Sequence, residues 1–136
     1  QLLKIFFFGL DLKALQKYAD DFSIIYQDQL KESAIRYIAH LKQKKSNKII
    51  LISASLDIWI KPIAEKLGLE LICTESIIED NKFVGIKGEN CKSIEKVRRI
   101  REKVDMKQFD EIHCFGNSSG DKEMLEISTH PHMNFF

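Results

Sequence analysis

Residues 115–125 read FGNSSGDKEML, in which a small polar loop leads from an apolar run into a helical pattern. The run before the loop, residues 112–115, is apolar and predicts a short buried strand. In open α/β sheets, ligands bind at the loops that follow the carboxyl ends of the strands. Asn117 and Asp121 place oxygen-bearing side chains on this loop, and such oxygens suit a hard cation such as Mg²⁺ better than zinc. The loop therefore predicts a cation site at the end of a strand.

The composition is that of an ordinary globular domain. The chain has 136 residues, of which 44% are hydrophobic and 30% charged, enough for one domain with its own core. A net charge of +1 favours neither nucleic acid nor an anionic membrane as a partner, and the apolar residues 2–10 are too few to predict a membrane span. The three cysteines show no paired spacing. They favour a reducing compartment, so we expect a cytoplasmic protein.

The rest of the chain predicts helices first and then strands that alternate with helices. Residues 2–45 are helical in pattern, with a break at Gly9. Residues 48–53 form a continuous β-branched run, which predicts a parallel strand buried on both faces. The further predicted elements are a helix over 57–67, a strand over 70–74, a hairpin around Asp80 and Asn81, a helix over 92–104, strands over 111–115 and 133–136, and a helix over 121–128. This alternation predicts a parallel sheet with helices on its faces.

Polar groups follow two of the predicted strands. Ser53 ends the strand over 48–53, and Asn117 and Asp121 follow the strand over 111–115, with a lysine near the start of the helix between them. Because the ends of parallel strands share one edge of a sheet, we expect these groups to converge. A hydroxyl, backbone N–H groups and a lysine suit a phosphate group, and a cation at Asp121 would offset its remaining charge.

These motifs resemble those of the haloacid dehalogenase superfamily, with most likeness to its phosphoserine phosphatase-like branch. The likeness rests on residues 49–53, on the helix lysine and on the loop GNSSGD at 116–121. Residues 1–45 resemble the C-terminal part of that branch's helical cap, and residues 46–136 resemble its core. The resemblance implies a three-layer Rossmann-like fold and a Mg²⁺-dependent phosphatase that hydrolyses a small phosphomonoester through an aspartyl-phosphate intermediate.

The resemblance also implies a role for each site residue. The Ser53 hydroxyl and the adjacent backbone N–H of Ala54 would bind the phosphoryl group. Two lysines are candidates for neutralising charge. Lys96, followed by Val97, matches the usual context of the branch and is preferred to Lys92 at the helix start. Asn117 and Asp121 would bind or orient Mg²⁺. The plainer alternatives are a strand-end serine, a solvated lysine and a helix-capping aspartate.

The family's nucleophile has no counterpart in this sequence. It is the first aspartate of an Asp-x-Asp pair that follows an apolar strand, and none of Asp11, Asp20 and Asp57 belongs to such a pair. Without an activated nucleophile, the remaining groups can bind phosphate but cannot form a covalent intermediate. We therefore expect the central strand and the nucleophile to lie upstream in the same protein, and this chain alone to be inactive and poorly stable. The alternative is a catalytically inactive relative that acts as a phosphate-binding or interaction module.

Overall fold

The computed structural model describes residues 7–27 and 30–136, apart from the side chains of residues 26 and 27. The chain divides into two compact units, Gln1–Asn90 and Cys91–Phe136. The boundary predicted after residue 45 is of another kind, since it divides a cap from a core. It stays a prediction. The short helix predicted before Gly9 falls mostly outside the described residues.

The first unit combines helices with a parallel and an antiparallel strand pair. The parallel pair sets Ile50 opposite Glu70 and Ile52 opposite Ile72. The antiparallel pair is the predicted hairpin, whose turn residues Asp80 and Asn81 both have positive φ (47° and 61°), as a tight two-residue turn requires. In chain order the elements are α1 (Leu12–Gln27), α2 (Glu32–Lys42), β1 (Ile50–Leu56), α3 (Asp57–Leu67), β2 (Glu70–Thr74), β3 (Ser76–Glu79) and β4 (Lys82–Ile86).

The core of the first unit joins α1 to the hairpin and to the start of α3. The Phe83 N–H donates to the Leu10 carbonyl, and the Gly9 N–H donates to the Phe83 carbonyl, so β4 anchors the segment that leads into α1. Trp59 packs its ring against Phe7 and Phe22. The buried apolar side chains of this cluster are Leu15, Ala19, Leu56, Ile58 and Phe83.

The second unit contains α4 (Ile94–Lys103), β5 (His113–Gly116), α5 (Lys122–Glu126) and β6 (His130–Met133), with 3₁₀ turns at Met106–Gln108 and Ser119–Asp121. β5 and β6 pair in parallel, with His113 opposite His130. The last strand therefore begins three residues before the predicted one. It ends where Asn134 turns to a φ of 53° and donates its N–H to the Gly116 carbonyl.

The parallel strands and their helices confirm the predicted α/β class. Within residues 7–27 and 30–136, β1 pairs with β2 and with no other strand. A β-branched parallel strand ordinarily has neighbours on both sides, so β1 leaves one edge for a further strand. The expected central strand stays a prediction. No helix in the described ranges is long and apolar enough to cross a membrane.

Candidate active site

Ser53 lies where β1 leaves its regular ladder. The register between β1 and β2 is regular up to Ile52 and shifts before Leu56 pairs with Thr74. Residues 53–55 form the irregular piece in between, in which the Ser55 N–H donates to the Ser53 Oγ at 3.1 Å. Ser53 and Ala54 are half-buried. An irregular segment of this kind releases backbone groups from the sheet and re-aims side chains.

Asp57, which follows this segment, has a structural role. Its Oδ1 accepts hydrogen bonds from the Ile58 N–H at 2.9 Å, the Ser76 N–H at 3.0 Å and the Ser76 hydroxyl at 2.7 Å. This carboxylate joins the start of α3 to the start of β3.

In the second unit, Lys96 is paired with the loop that follows β5. Its Nζ lies 2.5 Å from the Asp121 Oδ1, and the two side chains are 9% and 7% exposed. Lys92, by contrast, is exposed and precedes α4. Of the two candidate lysines, Lys96 is thus the one held in a buried ion pair with a predicted site residue.

Asp121 accepts hydrogen bonds from other residues of its own loop. Its Oδ2 accepts from the Asn117 N–H at 3.1 Å, the Ser118 N–H at 3.1 Å and the Ser118 hydroxyl at 2.9 Å. Burial alone would raise the pKa of Asp121. The hydrogen bonds from Lys96, Asn117 and Ser118, together with the lysine charge, outweigh burial and hold that pKa below its ordinary value. Asp121 is therefore a carboxylate at neutral pH.

The oxygen atoms of the loop fit Mg²⁺ only in part. Asp121 already meets a lysine cation through Oδ1 and three donors through Oδ2, which favours an orienting role over direct metal ligation. Asn117 is exposed and offers one neutral oxygen. Within the described residues, no three His, Cys, Asp or Glu side chains are grouped to hold a metal ion. Mg²⁺ usually takes one or two carboxylates from a protein, and this loop supplies Asp121 as its one carboxylate.

An ion-pair network lies on α4, the helix that carries Lys96. Glu95 pairs with Arg99 at 2.8 Å and with Arg98 at 2.6 Å, and the Glu95 and Arg99 side chains are 12% and 11% exposed. Hydrogen bonds from Arg98 and then Arg99 lower the pKa of Glu95 to about 2. The spacing of Glu95, three and four residues before the two arginines, is visible in the sequence.

Glu95 is expected to make the free energy of unfolding depend on pH in the acid range. Its pKa in the folded chain lies below the ordinary 4.5, so its contribution is present above pH 4.5 and is lost as the pH falls toward 2. Glu95→Gln should flatten the dependence of the urea midpoint on pH in this window. Glu126→Gln, at the exposed end of α5, is the matched control and should keep the slope. An equal slope in the wild type and Glu95→Gln would contradict this role.

Ser93 holds the start of α4 in an unusual backbone conformation. It has φ 51° and ψ −131°, which a residue with a Cβ rarely adopts, and its N–H donates to the Gly120 carbonyl at 2.9 Å. Because glycine adopts this conformation without steric cost, Ser93→Gly is expected to raise the free energy of unfolding by about 1 kcal/mol. Ser93→Ala keeps the Cβ, so its free energy of unfolding should not rise above that of the wild type. Urea unfolding compares the two, and a glycine variant less stable than the alanine variant would refute the strain.

A family model described as haloacid dehalogenase-like hydrolase matches residues 1–126. The chain belongs to the haloacid dehalogenase-like hydrolase family. The resemblance to the haloacid dehalogenase superfamily, inferred from the motifs, is thus confirmed. Ser53, Lys96 and Asp121 all lie inside the matched range.

Relatives of this haloacid dehalogenase-like chain include Protein CicA of Caulobacter vibrioides, in strains NA1000 / CB15N and ATCC 19089 / CIP 103742 / CB 15. Each is 34% identical over 87 residues, which are 62% of this chain and 39% of CicA. The chain therefore spans about two fifths of the length of these curated relatives.

Solved structures share the fold. A protein of unknown function from Bordetella pertussis Tohama I matches with a TM-score of 0.78 at 23% identity, over 87% of this chain and 56% of that one. A substrate-bound phosphoserine phosphatase matches with a TM-score of 0.61 at 22% identity, over 74% and 49% of the two chains. A phospho-aspartyl intermediate analogue of phosphoserine phosphatase gives 0.59 at 24% identity, over 72% and 48%.

Proposed function

We propose that this chain is the phosphate-holding part of a phosphomonoester hydrolase that works through an aspartyl-phosphate intermediate. The observation that carries the proposal is the buried pair of Lys96 and Asp121 at the end of β5. Lysine is rarely buried, and a positive charge fixed beside a strand-end loop suits an anionic group. Membership of a hydrolase family and a fold shared with phosphoserine phosphatases support the phosphate ester as that group.

Each predicted site residue has a distinct task in this proposal. The Ser53 hydroxyl and the Ala54 N–H donate to oxygens of the phosphoryl group, and Lys96 offsets its charge. Asp121 orients Lys96 and the loop amides, while Asn117 offers an oxygen to Mg²⁺. When bound, Mg²⁺ would polarise the phosphoryl group and offset its negative charge. The substrate class is a small phosphomonoester, for which phosphoserine is one candidate because matched structures are phosphoserine phosphatases.

The attacking carboxylate is proposed to come from residues outside these 136. The sequence contains no Asp-x-Asp pair, and the one candidate beside the Ser53 segment, Asp57, is committed to Ile58 and Ser76. The same outside residues would supply the carboxylates that a complete Mg²⁺ site needs. The alternative is a phosphate-binding module that has no catalytic activity. Such a module would bind phosphate with the same affinity, but adding the outside residues with their nucleophile would not restore hydrolysis.

Titration of the full chain with inorganic phosphate, followed by ³¹P NMR, tests the proposal. Lys96→Met should weaken phosphate binding more than about tenfold, because a charge-assisted interaction is lost. Lys92→Met removes the exposed alternative lysine and should change affinity less than about twofold. Ser53→Ala should also weaken binding, and a double-mutant cycle with Lys96→Met should show coupling if the two residues act on one phosphate. A larger effect of Lys92→Met than of Lys96→Met would contradict the assignment.

A further inference from the structure

A fully buried hydroxyl lies beside the irregular segment that carries Ser53. Thr74, the last residue of β2, has an exposed fraction of 0%. Its Oγ1 lies 2.9 Å from the carbonyl oxygen of Ala54 and 2.9 Å from the Asn90 side-chain oxygen position. A hydroxyl removed from water is costly unless it is hydrogen-bonded, so these contacts decide what Thr74 does.

The placement of hydrogens follows from the chemistry of the two neighbours. A threonine hydroxyl has one proton, and the Ala54 carbonyl can only accept. Both contacts are hydrogen bonds if Thr74 donates to Ala54 and accepts from the NH₂ group of Asn90. The two ends of an amide side chain are assigned from their partners, and this arrangement orients the Asn90 amide with its nitrogen toward Thr74. Thr74 then bridges the half-buried Asn90 to the backbone of β1.

A single peptide plane transmits this bridge to Ser53. The Ala54 carbonyl and the Ser55 N–H belong to the same planar trans peptide and point in opposite directions. The Ser55 N–H donates to the Ser53 Oγ at 3.1 Å. By holding the carbonyl on one side of the plane, Thr74 sets the direction of the N–H on the other side, and with it the position of the Ser53 oxygen.

The arrangement also sets the donor direction of Ser53. Its Oγ accepts the Ser55 N–H, which leaves the hydroxyl proton to be donated to another acceptor. The ladder between β1 and β2 is irregular from Ile52 to Leu56, so regular strand pairing does not fix this segment.

We propose that Thr74 is a positioning residue for phosphate recognition. Its buried hydroxyl holds the Ala54–Ser55 peptide so that the Ser53 hydroxyl is presented as a donor to a phosphoryl oxygen. The assignment of phosphate to Ser53 rests on the proposed function, whereas the positioning of the Ser53–Ser55 segment by Thr74 does not.

Two substitutions of Thr74 separate its hydroxyl from its volume. Thr74→Val keeps the shape and removes the hydroxyl, and Thr74→Ser keeps the hydroxyl. In the full chain, Thr74→Val should weaken binding of inorganic phosphate about tenfold, while Thr74→Ser should stay within about threefold of the wild type. The exchange rate of the Ser55 amide proton, measured by NMR, should rise in Thr74→Val and not in Thr74→Ser. Ile63→Val, a loss of one buried methylene in α3, is the control for stability and should leave both readouts unchanged.

The two readouts distinguish failure of this inference from failure of the proposed function. If the wild-type chain does not bind phosphate, the proposed function is wrong, and the Ser55 exchange rate still decides whether Thr74 positions the segment. An exchange rate that is equal in Thr74→Val and Ile63→Val overturns the positioning role. Should Thr74→Val not fold, Asn90→Ala tests the same bridge from its half-buried end. It is expected to raise the Ser55 exchange rate, and an unchanged rate would overturn the proposal.

Discussion

Replacement of Asp121 by alanine is expected to lower the stability of the second unit by about 3–5 kcal/mol, the usual cost of breaking a buried ion pair by removing one partner. The Lys96 side chain, which is 9% exposed, would lose its paired carboxylate. The Asn117 and Ser118 N–H groups would lose their acceptor at the same time. The single tryptophan of the sequence, Trp59, lies in the first unit. The stability of the second unit is therefore measured by amide hydrogen exchange at Val97 and Ile100.

A double substitution provides the control for this prediction. Lys96→Met removes the charge that Asp121→Ala leaves unpaired, so the double variant should be more stable than the sum of the single losses predicts. Asp121 keeps three other donors, so Lys96→Met alone should cost less than Asp121→Ala. A loss below about 1 kcal/mol for Asp121→Ala, the range of exposed ion pairs, would show that the pair is not buried in solution.

Gly116→Ala is the second substitution with a large expected effect. A Cβ at this position would lie 2.6 Å from the Asp121 Cβ, 3.1 Å from its Cγ and 3.2 Å from its Oδ2. Asp121 cannot move away without breaking its contacts with Lys96 and the loop amides. We expect a loss of about 1–3 kcal/mol from overpacking, together with weaker phosphate binding because Lys96 is displaced. Thermal unfolding and phosphate titration measure the two effects.

Gly120→Ala is the matched control in the same loop. A Cβ there would meet the Ser118 Oγ at 3.6 Å and the Lys92 Cβ at 4.0 Å, which are ordinary contacts. This variant should keep both stability and phosphate affinity near those of the wild type. If Gly116→Ala behaves as mildly as Gly120→Ala, the close approach of Gly116 to Asp121 is not part of the site.

Local patterns in the sequence were sufficient to predict most of the elements. The β-branched run at 48–53 and the Asp80–Asn81 turn act through residues next to them in the chain, so β1 and the hairpin follow from neighbours alone. The motifs favoured Lys96 over Lys92 as the site lysine, and that preference stays a prediction. Their spacing did not show that Lys96 is buried against Asp121, which depends on residues 25 positions apart.

The roles of individual polar side chains were harder to predict from the sequence. The resemblance gave Asp121 a role in binding or orienting Mg²⁺, and its four contacts to neighbours favour the orienting role. The sequence did not predict a role for Thr74, which is the last residue of an apolar strand. Its proposed role depends on the carbonyl of Ala54, 20 residues away in the chain. Such roles depend on tertiary partners, and a single sequence does not specify these.

The central claim is that this chain binds a phosphate ester without hydrolysing it. A ³¹P NMR time course of the full 136-residue chain with p-nitrophenyl phosphate and Mg²⁺ tests binding and turnover in one sample. We expect the ester resonance to broaden on addition of the wild type, to broaden less with Lys96→Met, and to remain at constant intensity with no inorganic phosphate released. Release of phosphate by the wild type that is lost in Asp121→Ala, or broadening equal in the wild type and Lys96→Met, would contradict the claim.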